Sequence, residues 1–376
     1  MEGKTKQEKL DKLKGVKFDA GMYDLAAKKN MPFSMWLEDY LVNEKGAMDP
    51  TYYYGKTNYE IHHERKRLKA AGKEVPMTAF EKLLEVHDIK AFGAHTDVVR
   101  KFFQAADITA LWPEYLANRI YAAQIEAVPF AERFIANTVV IKGEKFDKLY
   151  LEDEAADRSL ARTGRAAEFP RNRIQTAEYS VTMKKYGRIL EFSYEAINDQ
   201  PLNLFETVLR RIGQQLALDK FERLVYVLIN GDGSMGGLQS AYTVTTEQTT
   251  LINSQDVINF ASALTTAYQL NVFVGRAAQI RKYWKTMSDM TNPRDQKGEV
   301  GVPYPDGYRY DGTNLTSDFL LGVDSRFAAD FVTTDTVLMQ ETQKVITSQV
   351  VETVVSMKGD YGIVDKYAIG ALDINH

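Results

Sequence analysis

The sequence has no cysteine, which excludes disulfides, thiolate metal sites and cysteine nucleophiles together. It is also poor in histidine: four of the five lie before residue 96, and the last is His376. General acid–base catalysis near neutral pH usually falls to histidine. Residues 96–375 are therefore a poor candidate for a Ser-His-Asp hydrolase or a histidine-ligated metal enzyme, although carboxylate chemistry stays open on these grounds.

No run of about 18 apolar residues occurs, so we expect no membrane span. The first residues carry no apolar segment of the kind that a secretory signal needs. Hydrophobic residues make up 44% and charged residues 26% of the chain, a composition typical of a folded protein with an ordered core. The absence of cysteine fits synthesis in a reducing cytosol.

Charge is divided unevenly along the chain. Residues 1–104 carry 19 Lys and Arg against 16 Asp and Glu, whereas the remainder carries 28 against 35. The first part also differs in its predicted secondary structure, since short helices alternate there with turns. Thr78 with Glu81 has the spacing of a helix capping box. We therefore expect residues 1–104 to form a helical N-terminal extension.

His62 and His63 raise the question of a metal site beside Glu60 and Glu64. Adjacent residues on a helix point in different directions, and no other ligand lies close in sequence. The same stretch is rich in Lys and Arg, which favours a solvated basic helix face. The extension's small net charge is too weak to argue nucleic-acid binding.

Residues 152–178 form a segment of divided charge between two predicted strands. The first half is acidic, the second half is basic, and large apolar side chains are few. A segment of this length with so little to bury is either a mobile loop or an arm that docks on a neighbouring copy. The candidate intersubunit contacts are Glu152, Asp153, Glu154, Asp157, Arg158, Arg162, Arg165, Arg171 and Arg173.

The longest predicted helix runs from Pro201 to Ile229, about 40 Å at 1.5 Å per residue. Gly231, Gly233 and Gly236 follow it with the G-x-G-x-x-G spacing of a dinucleotide-binding loop. That loop needs a strand before the glycines and a helix after them, whereas here the helix comes first. We therefore interpret Gly231, Asp232 and Gly233 as a structural turn that ends the helix. The related G-x-S-x-G nucleophile motif lacks its first glycine and its strand.

The remaining pattern alternates helices with short strands and closes on a strand-rich stretch. The strands are predicted at 336–339, 350–357 and 367–374, with turns at Lys358-Gly359-Asp360 and Asp365-Lys366.

This order of parts resembles the major capsid protein of tailed phages, with the Hong Kong 97-type α+β fold. The resemblance covers residues 105–376, and the order of elements carries it more than any one motif. The matching stretches are Phe102-Phe103, Leu111 to Tyr115, Leu228 to Gly233, Gly237-Leu238, and Val354 to Gly362 with the strands that continue to Ile374.

The resemblance implies a division of the chain. Residues 105–143 would be the N-arm and 144–185 an extended loop reaching over a neighbour. Residues 186–239 and 336–376 would form the peripheral domain with its spine helix, and 240–335 the axial domain. The N-terminal extension (1–104) would be scaffold-like, a type of segment that a phage protease removes in many such phages. Some members crosslink through a lysine of the extended loop, and the absence of lysine from Leu151 to Met183 argues against that chemistry here.

The implied function is structural and not enzymatic, with no catalytic residue, cofactor or metal. Many copies would form hexamers and pentamers of an icosahedral shell around double-stranded DNA, bound without sequence specificity. Portal and maturation protease are the implied partners, and the virion capsid, assembled in the host cytoplasm, is the implied location. The alternatives are an encapsulin-type compartment, whose chains usually lack such an N-terminal extension, and a nucleotide-dependent enzyme using the glycine loop.

Overall fold

The computed structural model describes most of the chain between residues 8 and 374. The described ranges are 8–9, 11–19, 21–29, 31, 33–56, 58–91, 96–104, 106–141, 145–151, 174–233, 236–238, 242–248, 251–264, 267–290, 305–315, 319–334, 339–345, 347 and 349–374. Both helices and sheets are present, so the predicted α+β class is confirmed.

Helices dominate the first part of the chain and one very long helix follows. They are α1 (Gly21–Lys28), α2 (Phe33–Asp39, continued by a π-helical turn at Tyr40–Glu44), α3 (Asn58–Ala70), α4 (Ala79–Val86), α5 (Ala106–Thr109), α6 (Trp112–Ala127), α7 (Tyr194–Asp199), α8 (Leu202–Asn230), α9 (Ser254–Ala261) and α10 (Ala277–Met290). Short 3-10 helices span Val99–Phe103, Ala131–Phe134 and Lys366–Ala368. No helix within the described ranges combines the length and apolar character needed to cross a bilayer.

The strands, in chain order, are β1 (Asn137–Ile141), β2 (Lys145–Leu151), β3 (Ile174–Thr182), β4 (Lys184–Ser193), β5 (Thr243–Thr245), β6 (Val272–Gly275), β7 (Asp306–Arg309), β8 (Phe319–Val323), β9 (Ala329–Thr334), β10 (Met339–Val345), β11 (Val350–Ile363) and β12 (Ile369–Asp373). They form one sheet of order β1-β9-β11-β10 with β4 also paired to β11, one of order β5-β12-β8-β6-β7, and the two-stranded ribbon β2-β3.

The chain divides into two compact units. The first contains residues 1–132, 185–222 and 334–358. Its core joins buried side chains of the N-terminal extension to those of α6 and the first half of α8. At Gly213 an added Cβ would lie 2.5 Å from the carbonyl oxygen of Ile120 and 2.7 Å from the Cβ of Ala123. Only glycine therefore allows α8 to cross α6 this closely.

The second unit contains residues 133–184, 223–333 and 359–376. Its five-stranded sheet carries β12 between β5, which runs parallel to it, and β8, which runs antiparallel. Helices α9 and α10 contribute to the core of this unit, where the rings of Phe260, Phe273 and Tyr283 lie 4.6–6.3 Å apart between centroids. Asn253 caps α9, with Asp256 completing a capping box.

One predicted turn is wrong. Lys358-Gly359-Asp360 lies inside β11, which continues to Ile363 and pairs with β9 from Gly359 opposite Thr333. Gly359 instead allows a close approach of β9, because an added Cβ would lie 3.0 Å from the carbonyl oxygen of Val332 and 3.2 Å from the ring of Phe331. Glycine within a strand can mark a close approach of a neighbouring strand as well as a turn.

Candidate intersubunit surfaces

The extended ribbon β2-β3 is the structural frame of the charged segment. Its strands are antiparallel, from Lys145 opposite Thr182 to Leu151 opposite Ile174, with a register shift between Asp147 and Leu149. Residues 152–173, and with them all nine predicted intersubunit contact residues, lie outside the described residues. Since Leu151 and Ile174 are paired, the chain leaves and re-enters the ribbon at the same end.

The ribbon has no third strand among the described strands. A lone two-stranded hairpin is marginally stable in water, because it cannot bury enough apolar surface by itself. We therefore expect the ribbon to gain stability from contacts that it makes elsewhere.

The glycine turn after α8 ends the helix. Gly231 and Gly233 have φ angles of +93° and +90°, which side chains with a Cβ adopt only with strain. The Gly231 N–H donates to the carbonyl oxygen of Val227 at 2.8 Å, and the Leu238 N–H donates to that of Leu228 at 2.8 Å. The chain thus folds back over the helix end, as an αL C-cap does.

This geometry is the reverse of a phosphate site. A phosphate-binding loop directs the N–H groups of a helix N-terminus at the anion, whereas here the glycines follow a helix C-terminus, whose partial charge is negative. Asp232 adds a carboxylate, and its Oδ2 accepts a hydrogen bond from the Ile363 N–H at 2.9 Å. The turn therefore ties the end of α8 to β11. Ser234 and Met235 lie outside the described residues.

Alanine at two of these glycines is expected to have unequal effects. At Gly233 nothing lies within 4 Å of an added Cβ, so the positive φ alone should lower the free energy of unfolding by about 1 kcal/mol. At Gly237 the Cβ would meet the backbone of Ile229, and we expect a loss of about 2–3 kcal/mol. Urea denaturation of the two variants checks this order, and equal losses would contradict the close approach at Gly237.

A buried ion pair joins α8 to β11 within the second unit. The Arg223 guanidinium donates from Nε to Oδ1 of Asp360 at 2.8 Å and from Nη2 to Oδ2 at 2.9 Å. The Asp360 side chain is only 3% exposed, and it also accepts from the Tyr361 N–H at 2.9 Å. The Nζ of Lys184, at the start of β4, lies 4.0 Å from Asp360. The Asp360 carboxylate thus joins the second half of α8 to β11.

Several large apolar side chains are exposed on each unit. In the first unit Leu204 and Val208, one turn apart on α8, are each 54% exposed. In the second unit Trp284 on α10 is 47% exposed. In a chain that assembles with copies of itself, exposed apolar side chains are candidates for burial in the interface. The others among the described residues of the second unit are Tyr226, Leu251, Ile258, Phe327, Val364 and Tyr367.

The histidine pair of α3 does not converge on a common point. His63 Nε2 lies 2.9 Å from Oε1 of Glu132, while the His62 ring stacks on Tyr121 at 6.3 Å between centroids. The described ranges contain no group of three potential metal ligands. On the outer face of this helix Lys66, Arg67 and Lys69 are exposed.

We expect His62 to make the folded protein less stable in acid. Burial lowers the pKa of His62 from 6.5 to about 4, and the nearby cations Arg65, Arg119 and Lys69 strengthen the effect. Between these pH values the unfolded chain binds a proton that the folded chain does not, so the free energy of unfolding falls as the pH falls from about 6.5 to 4.

Replacing His62 by phenylalanine removes the titrating group and keeps a ring against Tyr121. Because the histidine is partly exposed, we expect the variant to lose about 1–2 kcal/mol less stability than the wild type between pH 7 and pH 4.5. Urea denaturation at several pH values measures this difference. An unchanged pH dependence would show that His62 is not the responsible group.

A family model and several solved structures relate the chain to known proteins. No curated protein matches its sequence. The structure is similar to the capsid of a native GTA particle, with a TM-score of 0.47, 16% identity, and coverage of 65% of this chain and 90% of that one. It is also similar to a protein of Microbacterium phage Oxtober96, with a TM-score of 0.46, 11% identity, and coverage of 65% and 90%.

A third similar structure is the SrpI encapsulin of Synechococcus elongatus, with a TM-score of 0.45, 9% identity, and coverage of 64% of this chain and 85% of that one. The family model described as phage capsid protein matches residues 177–369, more than half of the chain. The elements described above include those that the Hong Kong 97-type resemblance predicts: an extended two-stranded ribbon, a long helix ending in Asn-Gly-Asp-Gly and a strand-rich C-terminal part. The chain therefore belongs to the phage capsid protein family.

Proposed function

We propose that copies of this capsid protein assemble as hexamers and pentamers of an icosahedral shell that encloses double-stranded DNA. The role is structural, with no catalytic residue, metal or cofactor. The inverted glycine turn supports this, because it offers a carboxylate and a helix C-terminus where a nucleotide-dependent enzyme would offer N–H groups.

The observation that carries the proposal is the two-stranded ribbon β2-β3. Its two strands are hydrogen-bonded to each other and to no third strand among the described strands. A marginal ribbon of this kind is stabilised if it lies over another copy, and the segment at its tip has charges that suit such a contact. The acidic and basic halves would then meet opposite charges on adjacent subunits.

The parts of the shell subunit follow from this proposal. Residues 105–143 are the N-arm and 144–185 the extended loop. The peripheral domain comprises 186–239 and 336–376, and the axial domain 240–335. A portal and a maturation protease are further partners, and the shell is assembled in the host cytoplasm before it becomes the virion capsid.

Charge reversal on the loop tests the contact. We expect Arg162→Glu with Arg165→Glu to lower the yield of assembled particles about tenfold or more, because like charges then face each other across a partly desolvated interface. Wild-type assembly should fall steeply with added salt. Sedimentation of particles from lysates measures the yield.

The matched control is Lys66→Glu with Lys69→Glu, the same reversal on exposed lysines of α3. It should leave assembly close to the wild-type level. If the two double variants assemble equally well, the proposed role of the loop charges is wrong.

The contents of purified particles test the DNA assignment. A phage shell should retain nuclease-resistant DNA of many sequences when the packaging machinery is present. An encapsulin-type shell would instead retain a protein cargo, and finding such a cargo without DNA would replace the proposed function with that alternative.

A further inference from the structure

We infer that the N-terminal extension is a permanent part of the folded subunit, and that the assembled shell keeps it. Its helices share one hydrophobic core with α6 and with the first half of α8. Its last residues also complete the N-terminus of α8. The part of this inference that concerns the shell rests on the function proposed above, while the part that concerns the folded subunit stands on the first unit alone.

Residues of the extension cap the N-terminus of α8. The first N–H groups of a helix have no partner within the helix. Here the Leu202 N–H donates to the carbonyl oxygen of Asp97 at 2.9 Å, and the Asn203 N–H donates to Oγ1 of Thr96 at 3.1 Å. The Val99 N–H donates in return to the carbonyl oxygen of Gln200 at 3.1 Å. Residues 96–99 thus act as the cap of the longest helix.

Aromatic residues on both sides of position 104 form a cluster. The Phe102 ring lies 5.3 Å from the rings of both Trp112 and Tyr115, measured between centroids, and Phe103 lies 5.5 Å from Trp112. Trp112 in turn contacts Phe205 of α8 at 6.0 Å. The aromatic residues before and after position 104 therefore pack together in one cluster.

The rest of the extension is also attached to the part of the chain after residue 104. The Tyr23 hydroxyl donates to the carbonyl oxygen of Ala110 at 2.9 Å, and Arg119 of α6 donates to that of Ala91 at 3.2 Å. Trp36, Leu37, Leu41 and Leu83 are fully buried. They belong to the same core cluster as Trp112, Leu116 and Leu209.

Removal of residues 1–104 would therefore uncap α8 and expose the apolar faces of α6 and α8 to water. A segment that is discarded on maturation needs few buried contacts with what remains, since separation must cost little free energy. The described contacts of the extension with α6 and α8 are instead extensive and buried. We expect the protease of the proposed assembly pathway to leave the boundary near residue 104 uncut.

An engineered nick tests the attachment on the full chain. The loop at residues 71–74 is exposed, so a recognition sequence for a site-specific protease can be inserted between Lys73 and Glu74. After cutting, we expect the two pieces to elute together in gel filtration and to separate only in denaturant. Precipitation of the cut protein would also support the inference, because the larger piece would then be unable to stay folded alone. Release of the smaller piece from a soluble, folded remainder would overturn it.

A pair of threonine variants tests the cap. Thr96→Val removes the hydroxyl that accepts from the Asn203 N–H. Thr207→Val removes a hydroxyl of the same helix that donates to the carbonyl oxygen of Asn203 and makes no bond to the extension. Loss of a cap corresponds to about a fivefold change in the folding equilibrium, so Thr96→Val should be digested about fivefold faster under native conditions. Equal rates for the two variants would count against the cap.

Intact mass spectrometry of subunits from purified particles completes the test. We expect subunits that still contain the N-terminal extension. Particles built from subunits that begin near residue 105 would refute the inference and leave the shell function intact. Failure to form particles, with the nicked chain still held together, would refute the shell function and leave the attachment of the extension intact.

Discussion

Replacing Trp112 by alanine is expected to lower the free energy of unfolding by about 3–5 kcal/mol, as for other large aromatic residues in a core. Trp112 is fully buried and lies among Phe102, Phe103, Phe192 and Phe205, with ring centroids 5.3–6.1 Å away. The cavity left by the indole would lie against Phe102 of the N-terminal extension and Phe205 of α8. Urea denaturation followed by circular dichroism gives the free energy.

Trp284→Ala is the matched control for this substitution. Trp284 is 47% exposed on α10, so the same change should alter the stability of the isolated subunit by much less, about 1 kcal/mol or below. Comparable losses in the two variants would show that the cluster around Trp112 does not hold the first unit together.

Replacing Arg223 by leucine is expected to lower the free energy of unfolding by about 3–5 kcal/mol, because the buried Asp360 carboxylate would lose its bidentate partner and keep only the Lys184 amine at 4.0 Å. Much of this loss should be recovered in the double variant Arg223→Leu with Asp360→Leu, since an apolar pair needs no desolvated charge. Thermal and urea denaturation of the three proteins measure the effect.

The exposed pair of Arg309 and Asp311 provides the comparison. Its atoms lie 2.6 Å apart, but the side chains are 69% and 44% exposed. Arg309→Leu should therefore cost about 1 kcal/mol or less. If Arg223→Leu is equally mild, the ion pair at Asp360 is not a structural anchor of α8.

Local patterns in the sequence predicted the local structure well. The long helix was expected at 201–229 and is observed at Leu202–Asn230. The capping box of Thr78 with Glu81 is present, with both of its hydrogen bonds. These features depend on residues a few positions apart, so a short stretch of sequence contains the information that determines them.

Features that depend on distant partners were not predictable in the same way. Gly359 has the appearance of a turn residue, but its role is set by Val332 and Phe331 on another strand. The cap of α8 joins Thr96 and Asp97 to residues more than a hundred positions later. No spacing rule reveals such a pair, and for that reason the extension looked separable in the sequence. The division into N-arm, extended loop, peripheral and axial domains stays a prediction.

Electron microscopy of the purified full-length protein across a range of concentrations, paired with analytical ultracentrifugation, is the most direct measurement of the central claim. The claim is that the ribbon β2-β3 and its charged tip are stabilised by other copies of the same chain. It predicts closed shells, or rings of five and six subunits, in proportions that rise with concentration. A single compact subunit at every concentration, unaffected by salt, would contradict it.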